Sequence, residues 1–556
     1  MANSVESFVK IKQLSLVLGI FSLLLFACTD DEEAEPMGKP GDIGEIRKFW
    51  ALDDDNRPYQ VDAVLRAEGE YSKIWVQQSL SIGEATLSGL VSEYDRKIRP
   101  AVLEVFSVQG PIQDPESKQV VADNSLGWAD YLGDGDKKLA ILLLDMPTGS
   151  QGGGATIGYF WPLNFYSKND PRDSVFRYSN ESDMIYMNFH ARPGSALFNN
   201  TLAHETQHLI NFANSALLRR YYDPEFSMWD WQQMDVWVNE GLSAAAEYVY
   251  SKRYDEDRLD WFNDLTAKNG SQIFLGNNFF VWGENPEAIL DEYATVYLFF
   301  QWLRLQAGGD NKIYQEIITS QQFDHEAVVN AIRGKGNYSE DSNLKWETLL
   351  RDWLLANLLS SRNFPGRSPK HSYMGDSTLS NLYVWPTPFR DGRGQEITQL
   401  PLFPGEGVYS RTQTAGTLYS NNEGLSIGRN IRYTAVDYSN TGALNHLGTS
   451  YAKGVLLSYN VNTVNDVDGN FSYFAEWQSA LQSLLETARV SPDDSEYPAP
   501  RRNQATRNTA LGAHVSRPQA ISIWDMIRLR EHKRTSENPA LKNNTRALLK
   551  KSLLEN

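Results

Sequence analysis

Apolar positions recur along this chain in two rhythms, and the switches between them predict its elements. Val61 to Leu65 and Lys73 to Val76 carry the β-branched and aromatic texture of strands. Ala85 to Ile98 places apolar residues at helical spacing, and Pro100 follows as a stop. The acidic glycine turn 133–136 leads into Leu139 to Leu144, an unbroken apolar run of the kind that forms a buried strand. No calcium-loop pattern follows that turn, so it reads as a plain turn. The glycine-rich stretch 151–155 has no phosphate-binding lysine after it and reads as a loop. Asp183 to Asn188 is a further strand. Pro193-Gly194-Ser195 then breaks the chain and supplies a helix cap, and a helical pattern runs from Ala196 to about Arg220. More helices are expected at Val238 to Lys252, Ala288 to Leu305 and Leu344 to Leu359. Beyond Pro365 the texture becomes rich in glycine, asparagine, serine and tyrosine, with short alternating runs such as Val455 to Tyr459. Residues 380–475 therefore read as a separate β-rich module, and 476–556 as a mixed, partly disordered tail with helical periodicity near Ile521 to Leu529.

Composition narrows the partners. The 556 residues carry a formal net charge of −18, which argues against nucleic acid because phosphate binding needs a basic surface. The N-terminus reads as a processing segment: Lys10 and Lys12, an apolar run from Leu14 to Ala27, then Leu25-Phe26-Ala27-Cys28. That run is too short for a comfortable membrane span. It resembles a bacterial lipoprotein signal over residues 1–28, in which Cys28 is acylated. Residues 29–42, acidic and with Pro36, Gly38 and Pro40, read as a flexible tether. Thr29, rather than aspartate, after the cysteine favours the outer membrane. The resemblance implies a lipid-anchored, extracytoplasmic protein on a bacterial membrane. Cys28 is the single cysteine; with it acylated no thiol remains, intramolecular disulfides are excluded and any metal site must use nitrogen and oxygen ligands.

The candidate chemistry lies at His204-Glu205-Thr206-Gln207-His208. Two histidines four apart share one face of a helix, so their imidazoles can converge on one zinc ion. Glu205 sits at the rim of that face, where it can take a proton from water and pass it to a leaving amine. With eight histidines in the chain, this spacing is not readily accidental. Its flanks are apolar (Leu202, Ala203, Leu209, Ile210, Phe212), which disfavours two solvent-facing histidines. A third ligand is required. Asn211 and Asn214 stand where some zinc peptidases place a glycine and a third histidine. A glutamate on a later helix, commonly in an Asn-Glu pair, is the thermolysin-like solution. Asn239-Glu240-Gly241 supplies that pair, with Asp235 and Glu247 as rival carboxylates. The other histidines (His190, His325, His371, His446, His514, His532) have no ligand spacing.

The segments Leu202 to Phe212 and Trp237 to Ser243 resemble the hyicolysin family of bacterial neutral zinc metallopeptidases. Their flanks, Gly158 to Trp161, Ile185 to Met187, Tyr293 to Phe300 and Trp346 to Asn357, are similar too, so the resemblance spans roughly 60–360. It implies an α+β, zincin-like (thermolysin-like) catalytic domain over 43–365, α/β to about 220 and helical after, with one zinc ion between the parts. It also implies a peptidase acting on protein or peptide, with His204, His208 and Glu240 as ligands and Glu205 as base. Related enzymes add a tyrosine or histidine as oxyanion donor; Tyr293 is the candidate and Tyr297 the alternative. Two departures stand out. The gap from His208 to Glu240 is longer than in thermolysin and contains Tyr221, Tyr222, Trp229 and Trp231, which can wall a cleft or simply pack a loop. Ala244 also replaces an aspartate that bonds a zinc histidine, so another residue must hold that histidine. No Gly-x-Met-Glu-Asn segment favours an aminopeptidase, and no carboxylate pair suggests a glycosidase. The strand at 183–188 is expected to pair with extended substrate. The alternative from another class is a zinc-binding surface lipoprotein with an adhesion role and little turnover; the intact Glu205 argues against it.

Overall fold

A computed structural model of the chain describes residues 41–53, 57–107, 138–146, 155–169, 174–214, 234–263, 289–320, 322–360 and 367–382. Shorter pieces are described between 112 and 136, between 271 and 280, from 384 to 462, and at 514–515. The lipoprotein segment, the tether up to residue 40, the four aromatics of the long insert and the helical stretch near Ile521 lie outside the described residues.

The upper part is a six-stranded sheet. Strands β1 (Ile46–Leu52), β2 (Pro58–Glu68) and β3 (Ser72–Gln77) form an antiparallel meander. The sheet then turns parallel: β3 pairs with β4 (Leu139–Leu144), and β4 with β6 (Met184–Asn188). All residues of β4 are buried, as a strand covered on both faces requires. The edge strand β5 (Gly158–Phe160) pairs antiparallel with β6. Strand β6 therefore has a neighbour on each side, and its edges cannot accept substrate. This corrects the expectation for 183–188: the edge beside it belongs to β5.

Pro100 does not end the first helical stretch. Helix α1 (Glu84–Glu93) passes through a wide π turn (Tyr94–Ile98) into α2 (Arg99–Phe106), with Pro100 in the first turn of α2. Proline has no amide hydrogen to donate, and a first turn does not require one. Helix α3 (Ala196–Phe212) starts where the cap chemistry indicated: the Ser195 Oγ accepts from the Phe198 amide at 3.2 Å.

The lower part is helical. Helix α4 (Val236–Ser251) packs along α3, long α6 (Ile289–Gln306) packs on α4, and short α5 (Glu256–Phe262) packs on α6. Gly241 sits at the crossing of α4 with α6, where a Cβ would overlap the Phe300 ring. Helices α7 (Lys312–Ile318), α8 (His325–Ile332) and α9 (Trp346–Leu359) complete this layer. Trp237, Phe299, Phe300, Trp346 and Trp353 interlock at its centre. None of the described helices is long and apolar enough to cross a membrane.

Strands β7 (Gly407–Thr412), β8 (Ile431–Val436), β9 (Leu444–His446) and β10 (Gly454–Asn460) form a four-stranded antiparallel sheet, in the order β7-β10-β8-β9. The β texture of 380–475 thus yields a sheet, and that sheet docks on α9. The Tyr409 hydroxyl donates to the Leu354 carbonyl at 2.7 Å, and Arg432 pairs with Glu347 at 3.2 Å. Tyr409, Leu457 and Tyr459 join the same apolar cluster as the helices.

Candidate metal centre

Helices α3 and α4 bring three side chains to one point. The His204 Nε2 lies 3.2 Å from the Glu240 Oε2, and the His208 Nε2 lies 3.5 Å from the same oxygen. The two imidazoles stand one turn apart with their centroids 4.8 Å from each other. Among the described residues, these three form the one group of histidines and acids with the spacing of a metal site. The rival carboxylates stand elsewhere. Asp235 occupies the N-cap position of α4, and Glu247 approaches His204 from behind.

All three side chains are fully buried, as is Glu205. The His208 Nε2 and both Glu205 carboxylate oxygens have no hydrogen-bond partner among the described residues. Buried polar atoms are rarely left this way without a ligand or ordered water. The donor set is two imidazole nitrogens and a carboxylate, the set that holds zinc at hydrolytic centres while leaving a position open. The residues therefore fit a zinc ion.

Electrostatics agree with that role. Burial pushes the Glu205 pKa up to about 7, against the opposing pull of His208 and His204. Burial also opposes charge on Glu240, but the adjacent His208 and His204 outweigh it and hold its pKa at about 2. Burial likewise opposes charge on His204, yet its bonds to Glu240 and Glu247 raise its pKa to about 9. Without metal, the cluster thus holds its charge as a histidine–glutamate pair, which zinc would replace.

The outer nitrogens of both histidines are fixed. His208 Nδ1 lies 3.1 Å from the Asn239 Oδ1 and 2.9 Å from the Ser243 Oγ. Asn211 also donates to that Asn239 oxygen, and Ser243 donates to Gln207. His204 Nδ1 lies 2.8 Å from the Glu247 Oε1. Glu247 supplies the partner that Ala244 cannot. Its spacing was a usable signal: seven residues after Glu240 is two helical turns, on the same face of α4. Arg258 of α5, which sequence reasoning passed over, bonds the Glu247 Oε1 through Nη2 at 2.7 Å.

The two candidate tyrosines lie beside this outer network. The Arg258 guanidinium carbon is 5.4 Å from the Tyr293 ring centroid and 5.7 Å from that of Tyr297. The Tyr297 hydroxyl accepts from the Asp255 amide at 2.8 Å. Strand β5 passes over α3: a Cβ on Gly158 would lie 3.1 Å from the Thr201 methyl and 2.8 Å from the Met187 sulfur. The remaining described histidine side chains are engaged elsewhere. His190 faces Asp145, His325 packs on Trp346, and His371 bonds Asp352.

Paired helices carrying His-Glu-x-x-His and a downstream glutamate, in an α+β fold, bring together two histidines and a glutamate that could hold a metal ion. Sequence comparison points the same way. The chain is a distant homologue of the neutral metalloprotease ShpI of Staphylococcus hyicus, 27% identical over 299 residues, which is 52% of this chain. The match spans 58% of the length of that relative. No protein-family model matches the chain.

Proposed function

We propose that this protein is a zinc-dependent endopeptidase. The observation that carries the reading is the buried His204–His208–Glu240 group, with the Glu205 carboxylate beside it unpartnered among the described residues. The similarity to a neutral metalloprotease supports it. Bound zinc supplies Lewis-acid chemistry, polarising a carbonyl and making water easier to deprotonate. Glu205 accepts the proton of the attacking water and delivers it to the leaving amine nitrogen. Asn239 and Glu247 hold the imidazoles in one tautomer with their inner nitrogens turned to the ion.

In this reading Tyr293 is the candidate oxyanion donor and Tyr297 the alternative, since a hydroxyl that accepts from the Asp255 amide keeps its own proton to donate. Tyr293→Phe lowers kcat and leaves KM near wild type; an unchanged kcat removes Tyr293 from the reaction. The outer edge of β5, above α3, is the surface on which extended substrate backbone would lie. Cys28 anchors the enzyme by lipid to the outside of a bacterial membrane, a reading supported by the Leu25-Phe26-Ala27-Cys28 signal.

The test is cleavage of an unfolded protein by the purified chain. A zinc chelator abolishes it, and stoichiometric zinc restores it. Cleavage that persists in the metal-stripped protein contradicts the proposal.

A further inference from the structure

Behind the metal group lies a second buried assembly, joined to it through the Glu247 carboxylate. Glu247 Oε1 receives two groups, the His204 Nδ1 at 2.8 Å and the Arg258 Nη2 at 2.7 Å. Arg258 reaches the site from a different element. It lies on α5, whose first turn is capped by Asp255: the Asp255 Oδ1 accepts from the Asp257 and Arg258 amides at 2.9 and 3.2 Å. The other Asp255 oxygen accepts from the Arg258 Nε at 3.2 Å. The guanidinium is thus held by two carboxylates, flanked by the Tyr293 and Tyr297 rings, and aimed at the carboxylate that holds His204. His208 has no comparable support, since its outer partners are the neutral Asn239 and Ser243.

We propose that Arg258 and Glu247 are positioning residues for the metal, Arg258 fixing the Glu247 carboxylate so that it holds the His204 imidazole with Nε2 toward the ion. The inference rests on the zinc-peptidase reading above. Its physical basis is geometric. Zinc affinity depends on each ligand being held in the binding rotamer and tautomer before the ion arrives. A glutamate side chain has three rotatable bonds, and Ala244 leaves no shorter acid at the position facing His204 in related enzymes. The bidentate hold of Arg258 on Glu247 and Asp255 removes that freedom. A lysine there would keep the charge but lose the fork.

The test uses the full chain and zinc alone as probe, with affinity measured by competition against a fluorescent chelator. Glu247→Gln is isosteric, and it leaves Arg258 paired with Asp255, so the fold should persist. Its zinc Kd rises about 10- to 100-fold, and kcat on a peptide falls with KM near wild type. The metal-free variant meanwhile melts within a few degrees of the metal-free parent. Arg258→Lys shows a smaller rise in Kd in the same direction. Arg258→Met, which has no donor, approaches Glu247→Gln. If Glu247→Gln fails to fold, the two Arg258 variants decide the matter in the same way. Zinc affinity within twofold of wild type in folded variants at both positions overturns the inference. A wild-type chain that binds no zinc, or binds it and cleaves nothing, instead overturns the peptidase reading on which it stands.

Discussion

At the scale of single residues, the site is defined by where charge is buried and what answers it. Glu205 is held protonated up to about pH 7 by burial, while His204 is held charged up to about pH 9 by its two glutamates. Both shifts bear on the metal-free protein, and both have the same sign. Stability from the raised Glu205 pKa is complete below its ordinary value of 4.5 and is lost as pH rises through about 7. Stability from the raised His204 pKa is complete below 6.5 and is lost as pH rises through about 9. Glu240 acts oppositely: its depressed pKa stabilises above 4.5, and that contribution is lost as pH falls through about 2. The metal-stripped protein should therefore melt at its highest temperature near pH 5 and at progressively lower temperatures toward pH 9. Glu205→Gln should flatten the section between pH 4.5 and 7. Thermal unfolding in chelator across this range checks it, and a melting temperature that climbs from pH 5 to 9 contradicts the assignment.

At the scale of elements, α3 and α4 were the most legible parts of the chain. Their apolar flanks, the Ser195 cap and the Asn-Glu-Gly segment indicated both helices and the residues they bring together. Gly241 shows that the last of these segments is partly about packing, because its missing side chain lets the Phe300 ring lie against α4. Gly241→Ala should cost about 1–3 kcal/mol through overpacking, part of it recovered by Phe300→Leu; urea unfolding of the single and double variants measures this. What the sequence hid is physically intelligible. Strand β5 is three residues long, too short to declare a period, and only pairing with β6 reveals it as the edge. Pro100 looked like a stop because a first-turn proline and a terminating one are identical without the preceding π turn. Glu247 looked like a rival ligand because its distance from Glu240 puts it on the right face. Deciding between ligand and support required knowing that α5 folds back and delivers Arg258.

At the scale of the whole molecule, the first sheet packs on α3 through β5 and β6, and the second sheet docks on the helices through α9. The β-rich stretch is thus continuous with the core of the helical layer, since Tyr409 and Tyr459 belong to that core. The N-terminal reading belongs to this scale as well. Replacing the single cysteine, Cys28→Ala, should move the protein from the membrane fraction to the soluble fraction and abolish labelling by a radioactive fatty acid. Retention of label would place the lipid elsewhere. The central claim concerns what happens at His204, His208 and Glu240 with Glu205 beside them, and Glu205→Gln tests it most directly. The variant should bind one zinc ion per chain as the parent does and cleave an unfolded protein about 10²- to 10⁴-fold more slowly. Cleavage at the parental rate by a zinc-loaded Glu205→Gln protein would contradict the account.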